Sequence, residues 1–328
     1  MQNINEIANG RSKLLSELSA EFYYGDDRLY HAKEMAPAIS RADMVLGSFE
    51  AWQPVELTAD QLGEIMKPNY IDINNKPYLI EFKIEKHELH AIINDELVAA
   101  MELYGVSQNG VERRVTRILT QKLKAMAEFL TINAMTNSAT YENGLVNSSA
   151  LTWGGSSGTA IGDIRDAIAT LELNSVPEFG IAIAASPAIW QAIRDEVGDK
   201  LRPQTAAQGY LSVTDAAGYF GAKGVNFNFV LNSSFVMGSN VVIGAVDESV
   251  TDITRSAWRT VFGGKSGNPE PTVIRYQEAA TAHRQYSLAC YLDYSIVPTG
   301  AGKGVNINNV PGNVQRMAYL FSNVSSGL

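Results

Sequence analysis

The sequence predicts a mixed α+β fold organised around one long helix. Three observations carry that expectation. A helical run spans 109–138, short helical and strand-like segments alternate on both sides of it, and a long alternating strand returns late, over 285–297. At 100° per residue, Val115, Ile118, Leu119, Leu123, Ala125, Met126, Phe129, Leu130, Ile132 and Ala134 form an apolar surface wider than half the helix. Arg113, Arg117, Thr120, Gln121, Lys124, Glu128 and Thr131 fall on one narrow polar arc. Asn109, with Glu112 three positions on, fits a capping box. About 27 residues at 1.5 Å each make a rod of roughly 40 Å, a strut more than a catalytic element.

The remaining elements follow in chain order. Residues 1–46 are polar and mixed, with a weak helical period around Ile7, Leu14, Leu15 and Leu18, and read as an arm with little core of its own. Two strands, 70–73 and 78–84, flank the turn residues Asn74-Asn75-Lys76-Pro77. Tyr78, Ile80, Phe82 and Ile84 share one face of this hairpin, and Glu81, Lys83 and Glu85 share the other. Such a ribbon needs a partner to cover its apolar side. Phe82→Asp is accordingly expected to spare the fold and impair assembly. Residues 88–104 read as a helical lead-in and 137–158 as a polar link.

Ile161, Ile164, Ile168 and Leu171 then space as a helix, with Thr159 as its cap and Asp163 near its positive end. Residues 179–184 read as a buried strand, and Ser186-Pro187 opens another helix. Strands are expected at 225–230, 241–246 and 272–276. Residues 256–271 and 298–309 read as loops, and no repeat is present.

Composition narrows the function. The chain has 328 residues, 45% hydrophobic and 19% charged, so a substantial core is possible. A net charge of −9 argues against a dedicated nucleic-acid binder. The single cysteine, Cys290, excludes an internal disulfide and reads as a buried small hydrophobe on the long strand. No window approaches the roughly 18 apolar residues of a membrane span, and a cytoplasmic, soluble product is expected.

Candidate chemistry is sparse. Gly154-Gly155-Ser156-Ser157-Gly158 matches the serine-hydrolase elbow, and Asp247 and His283 follow in the right order. The apolar run before it is too short for a central strand, and a flexible link is the competing reading. Gly264-Lys265-Ser266 lacks the first glycine of a phosphate loop, where Arg259 stands instead. Gly300-Ala301-Gly302-Lys303-Gly304 has no helix behind it and reads as a turn. His87 and His90 lack helical metal-pair spacing and would face opposite ways on a strand. Lys122 is the odd residue on the apolar arc of the long helix. Either its stem packs while its amine reaches water, or it meets a carboxylate of another subunit.

In its order of elements the chain resembles the major capsid proteins of tailed bacteriophages, a fold shared with herpesvirus capsid floors and encapsulins. The stretches that carry the resemblance are residues 81–96 as the hairpin's return strand and its junction, and 119–137 as the spine helix. Leu151-Thr152-Trp153 with Ile161-Gly162-Asp163-Ile164 then resembles the entry to an inserted domain, and 179–189 its next strand and helix.

The resemblance implies an N-terminal arm (1–46), an extended hairpin loop (47–90) and a peripheral domain with the spine helix (91–158). An axial domain (159–262) and returning peripheral strands with a tail (263–328) would follow. It implies a shell subunit forming pentamers and hexamers of an icosahedral capsid around double-stranded DNA, with no catalysis and no cofactor or metal. Portal, scaffold or decoration proteins would be partners, any scaffold being a separate protein or absent. Tyr78, Ile80, Phe82, Ile84 and Lys122 are the expected intersubunit contacts. An encapsulin-type compartment and a hydrolase using Ser156 are the alternatives.

Overall fold

In the computed structural model, the described residues are 13–25, 31–41, 45–51, 78–154, 158–173, 180–201, 211–228, 230–231, 234–248, 253–263, 271–277, 286–306 and 308–327. Two five-stranded sheets organise them. The first has the order β1 (Ala38–Ser40), β12 (Arg259–Phe262), β14 (Tyr286–Val297), β13 (Thr272–Gln277), with β4 (Glu85–Ile93) also paired to β14. The second has the order β5 (Val146–Asn147), β17 (Ala318–Phe321), β11 (Val241–Val246), β7 (Gly180–Ala185), β8 (Ala222–Asn226).

The spine helix, α4, spans Gln108–Thr136, 29 residues. Its start differs from the expected capping box. Ser107 is the cap residue, in extended backbone, and Glu112 turns inward toward Tyr286 and Arg275. The buried side also differs. Thr116, Thr120, Lys124, Glu128 and Thr131 are buried, whereas Ile118 is 46% exposed. Glu112, Thr116, Thr120, Lys124 and Glu128 recur every fourth residue, a row that winds slowly round a helix of 3.6 residues per turn. Polar partners compensate part of that burial: Thr120 and Thr131 donate to carbonyls one turn back, and Thr120 meets the Ser19 hydroxyl at 2.6 Å.

Ser19 belongs to α1 (Lys13–Gly25), which lies on α4 and β13 of its own chain. Leu15 is buried there with Leu119, Leu123, Leu288 and Cys290, while Leu14 stays 63% exposed. Ile7 lies outside the described residues. The other described parts of the expected arm are equally integrated. Ala32 and Met35 of α2 (Ala32–Met35) are fully buried, and β1 pairs in parallel with β12. The described arm therefore has a core, contrary to the sequence reading.

Other differences share one physical cause, pairing with distant chain that local pattern does not show. The expected helical lead-in at 88–104 is divided: β4 runs to Ile93 because nine of its residues pair with β14. Only Asp95–Glu102 forms a helix, α3, capped by Asn94 accepting from the Leu97 amide. The expected loop at 256–271 contains β12, fully buried and paired with β14. The expected turn at 300–304 is β15 (Ala301–Val305), paired with β16 (Pro311–Gln315).

The expected polar link contains β5 and β6 (Leu151–Trp153), which pair in parallel with β17 and β18 (Val324–Ser326). The division at 159–262 thus cuts across both sheets: β12 lies in the first, and β17, from the expected tail, lies inside the second.

The helices of the second sheet start as expected. Pro187 opens α6 (Pro187–Leu201), and Thr159 precedes α5 (Ala160–Leu173), accepting from the Asp163 amide on its carbonyl. The first two amides of α5 donate to the Glu196 carboxylate of α6 at 3.1 and 3.0 Å, a cap supplied by a neighbouring helix. Glu196→Ala would leave both donors without that acceptor. Urea denaturation is expected to show a loss of about 2 kcal/mol.

Candidate intersubunit surfaces

The ribbon that carries the expected contacts is built differently from the expected hairpin. β3 (Tyr78–Lys83) pairs antiparallel with β2 (Leu46–Ala51), with Phe49 opposite Ile80 and Gly47 opposite Phe82. Residues 70–77, the expected first strand and turn, lie outside the described residues. Phe49 and Phe82 stack with ring centres 4.6 Å apart. A Cβ on Gly47 would come within 2.5 Å of the Phe82 ring, so that ring occupies the space above the glycine.

Ile80, Phe82 and Ile84 do share a face, as expected, but their own chain covers it. They are 5–6% exposed and pack with Ile39, Phe49, Val261, Val297 and Ala301. No neighbour is needed to bury them, which corrects the premise of an uncovered apolar side. Tyr78 is described only by its backbone, opposite Ala51. The ribbon's outward apolar residues are Leu46 and Leu79, 70% and 58% exposed. Lys122 is exposed on α4, and Lys124, expected on the polar arc, is the buried lysine.

A second surface escaped the sequence reading. At the turn between α3 and α4, Leu103 and Tyr104 are 87% and 84% exposed. The Gly105 amide donates to the Glu102 carbonyl and the Val106 amide to the Met101 carbonyl, fixing the turn. Gly105 takes φ +76°, a conformation that favours glycine. The signal was the apolar pair before a glycine, hidden by its assignment to one continuous helical run.

Among the described residues the candidate chemical groups do not converge. Cys290 is buried, 3.4 Å from the Ser19 hydroxyl, and burial raises its thiol pKa. His87 and His90 lie on opposite faces of β4, as expected. His87 is buried against the Tyr294 ring at 4.3 Å, and burial lowers its pKa, while His90 is exposed, 3.3 Å from Glu88. Ser156, His283 and Gly264-Lys265-Ser266 lie outside the described residues. Asp247 faces Arg255 at 4.0 Å. Among the described residues no cluster could hold a metal, and no helix is long and apolar enough to cross a membrane.

On α4 the Glu128 carboxyl is pushed up to about 7, first by burial, against the lowering effect of the His31 charge and backbone amide. The His31 amide donates to Glu128 Oε2 at 3.3 Å, and Glu34 stands beside His31 at 3.4 Å.

No family model and no curated protein matches this chain. Solved structures do. A phage-related protein of Bordetella bronchiseptica RB50 superposes with a TM-score of 0.65 at 12% identity, over 96% of this chain and 98% of that one. The virus-like particle of Pyrococcus furiosus gives 0.54 at 8% identity, over 95% and 100%. The mature capsid of bacteriophage PhiM1 gives 0.51 at 9% identity, over 90% and 87%. The chain therefore has the tailed-phage capsid fold, as its order of elements implied.

Two outcomes follow from this geometry. Phe82→Ala is expected to destabilise the protein by about 3 kcal/mol in urea unfolding, and Phe82→Asp to disrupt the ribbon itself rather than assembly alone. The Glu128 carboxyl binds its proton more tightly folded than unfolded, so it favours the protein at low pH and withdraws that stability as pH rises from 4.5 through about 7. Thermal melts of Glu128→Gln should show a flatter profile across that window and a gain on the order of 1 kcal/mol above it.

Proposed function

We propose that this protein is the structural subunit of an icosahedral shell, a tailed-phage major capsid protein that assembles into pentamers and hexamers around double-stranded DNA. The observation that carries the reading is the likeness to a phage mature capsid and a virus-like particle over 87–100% of those chains. A shell subunit needs no reaction centre. It does need surfaces repeated around rotation axes. The outward face of the β2–β3 ribbon and the Leu103–Tyr104 turn supply exposed apolar area of that kind. Each gains roughly 25 cal/mol per Å² of apolar surface covered. In this reading Lys122 contacts a carboxylate of an adjacent subunit.

The protein acts in the virion after synthesis in the host cytoplasm, with a portal and scaffold or decoration proteins as partners. A charge of −9 suits a wall that holds DNA without adhering to it. The likeness to the Pyrococcus furiosus particle favours a second reading, an encapsulin-type compartment enclosing protein.

Negative-stain microscopy and sedimentation of the purified protein test the proposal. Rings or closed shells are expected. A strictly monomeric protein at high concentration would overturn it, and small shells loaded with protein would favour the second reading.

A further inference from the structure

The spine helix and the helix before it carry opposite charges on their exposed sides. α3 contributes Asp95, Glu96 and Glu102, all exposed, and ends in the protruding Leu103 and Tyr104. No residue of α3 is buried, although Val98 and Met101 pack toward α4. The exposed side of α4 contributes Arg113, Arg114, Arg117 and Lys122 around the exposed Ile118. These residues fall within half a turn of one another and span about 14 Å along the axis. α3 at eight residues is about 12 Å long, a matching length. Asp95, Glu96, Glu102, Arg113, Arg114 and Lys122 form no ion pair with a described residue.

We infer that the acidic α3 knob of one copy docks on the basic α4 stripe of the next, with Leu103 and Tyr104 seated around Ile118. This inference rests on the shell reading and names the contact that reading leaves open. A second copy fits better than nucleic acid for two reasons. An apolar isoleucine stands in the middle of the basic side, where a phosphate backbone has nothing to match. The complementary acidic surface, with unpartnered apolar residues of its own, is present on every copy.

Knob and stripe are different surfaces, so the contact is heterologous and propagates around a ring. The opposed charges set the register, and the apolar pair supplies contact area that excludes water. Tyr104 can present its ring face to the stripe's guanidinium groups. The knob is held by the turn's backbone hydrogen bonds, so little ordering accompanies docking.

Charge reversal tests the pairing. Glu96→Arg with Glu102→Arg, or Arg113→Glu with Arg114→Glu, should each lower particle yield about tenfold or more, because like charges then face each other. The four changes together should restore assembly. All four sites are exposed, and unchanged thermal melts would show that folding is intact. Failure of the fourfold variant to assemble would overturn the pairing. So would normal particles from either double variant, or a basic-side variant whose only defect is lost nucleic acid.

A second arm separates this inference from the shell reading. Differently tagged Leu103→Cys and Ile118→Cys chains, mixed at high concentration and oxidised, should form the mixed disulfide in excess of either homodimer. The native Cys290 is buried and does not compete. This readout works on unassembled subunits. If wild-type protein builds no shells yet the mixed disulfide dominates, the shell reading fails and the contact stands. A statistical mixture of disulfides would overturn the contact alone.

Discussion

The architecture depends on one strand. β14 runs 12 residues and is paired along both edges, with β4 on one side and β13 followed by β12 on the other. Its inward residues Leu288, Cys290, Leu292 and Tyr294 are buried, the first two with α4 residues Leu119 and Leu123. A strand bonded on both edges and covered on a face has no freedom of register, because a one-residue slip would exchange every inward side chain for one from the opposite face. The spine helix takes its orientation from that strand, and α1 and the ribbon take theirs from the pair.

The junction between the two sheets is equally constrained. Trp258, one residue before β12, is buried in the cluster that fills the second sheet, edge-on to Tyr141 at 6.2 Å. A Cβ on Gly244 of β11 would lie 3.0 Å from the Trp258 ring, so the absence of a side chain there lets the indole reach the sheet. Met35 and Ala36, at the end of α2, and Met135, near the end of the spine helix, enter the same cluster. The first sheet's segments thus reach into the core of the second, and the two are joined through packed side chains.

How much of this was legible follows from the range over which each signal acts. The spine helix, β7, β11, β14 and the Ser186-Pro187 start were visible because their patterns are local and long. β12 was not: Arg259 and Thr260 interrupt its apolar pattern, and they are buried only because β14 and β1 flank them. β5 and β6 are two and three residues long and exist through partners some 170 residues away. The burial of Thr120, Lys124 and Glu128 was hidden for a related reason. A hydrophobicity pattern assigns such residues to solvent, whereas α1 and α2 bring polar groups to meet that side of the helix. The apolar face of Ile80, Phe82 and Ile84 was read correctly as a face. Its cover, from Ile39, Val261 and Val297, could not be seen, since those residues are scattered over more than 200 positions.

The placement of β17 between β5 and β11 has a consequence in time. β5, β11 and β7 are all made well before residues 318–321, yet the second sheet has a gap between β5 and β11 until that segment arrives. Contacts so distant along the chain close slowly, since a long loop must be ordered before they reward it. During synthesis a nascent copy would therefore present an incomplete sheet, and its lateral surfaces would be presented in their final arrangement only after that strand is inserted. Such a sequence of events makes completion of this sheet a late step, reached only once translation has passed the segment.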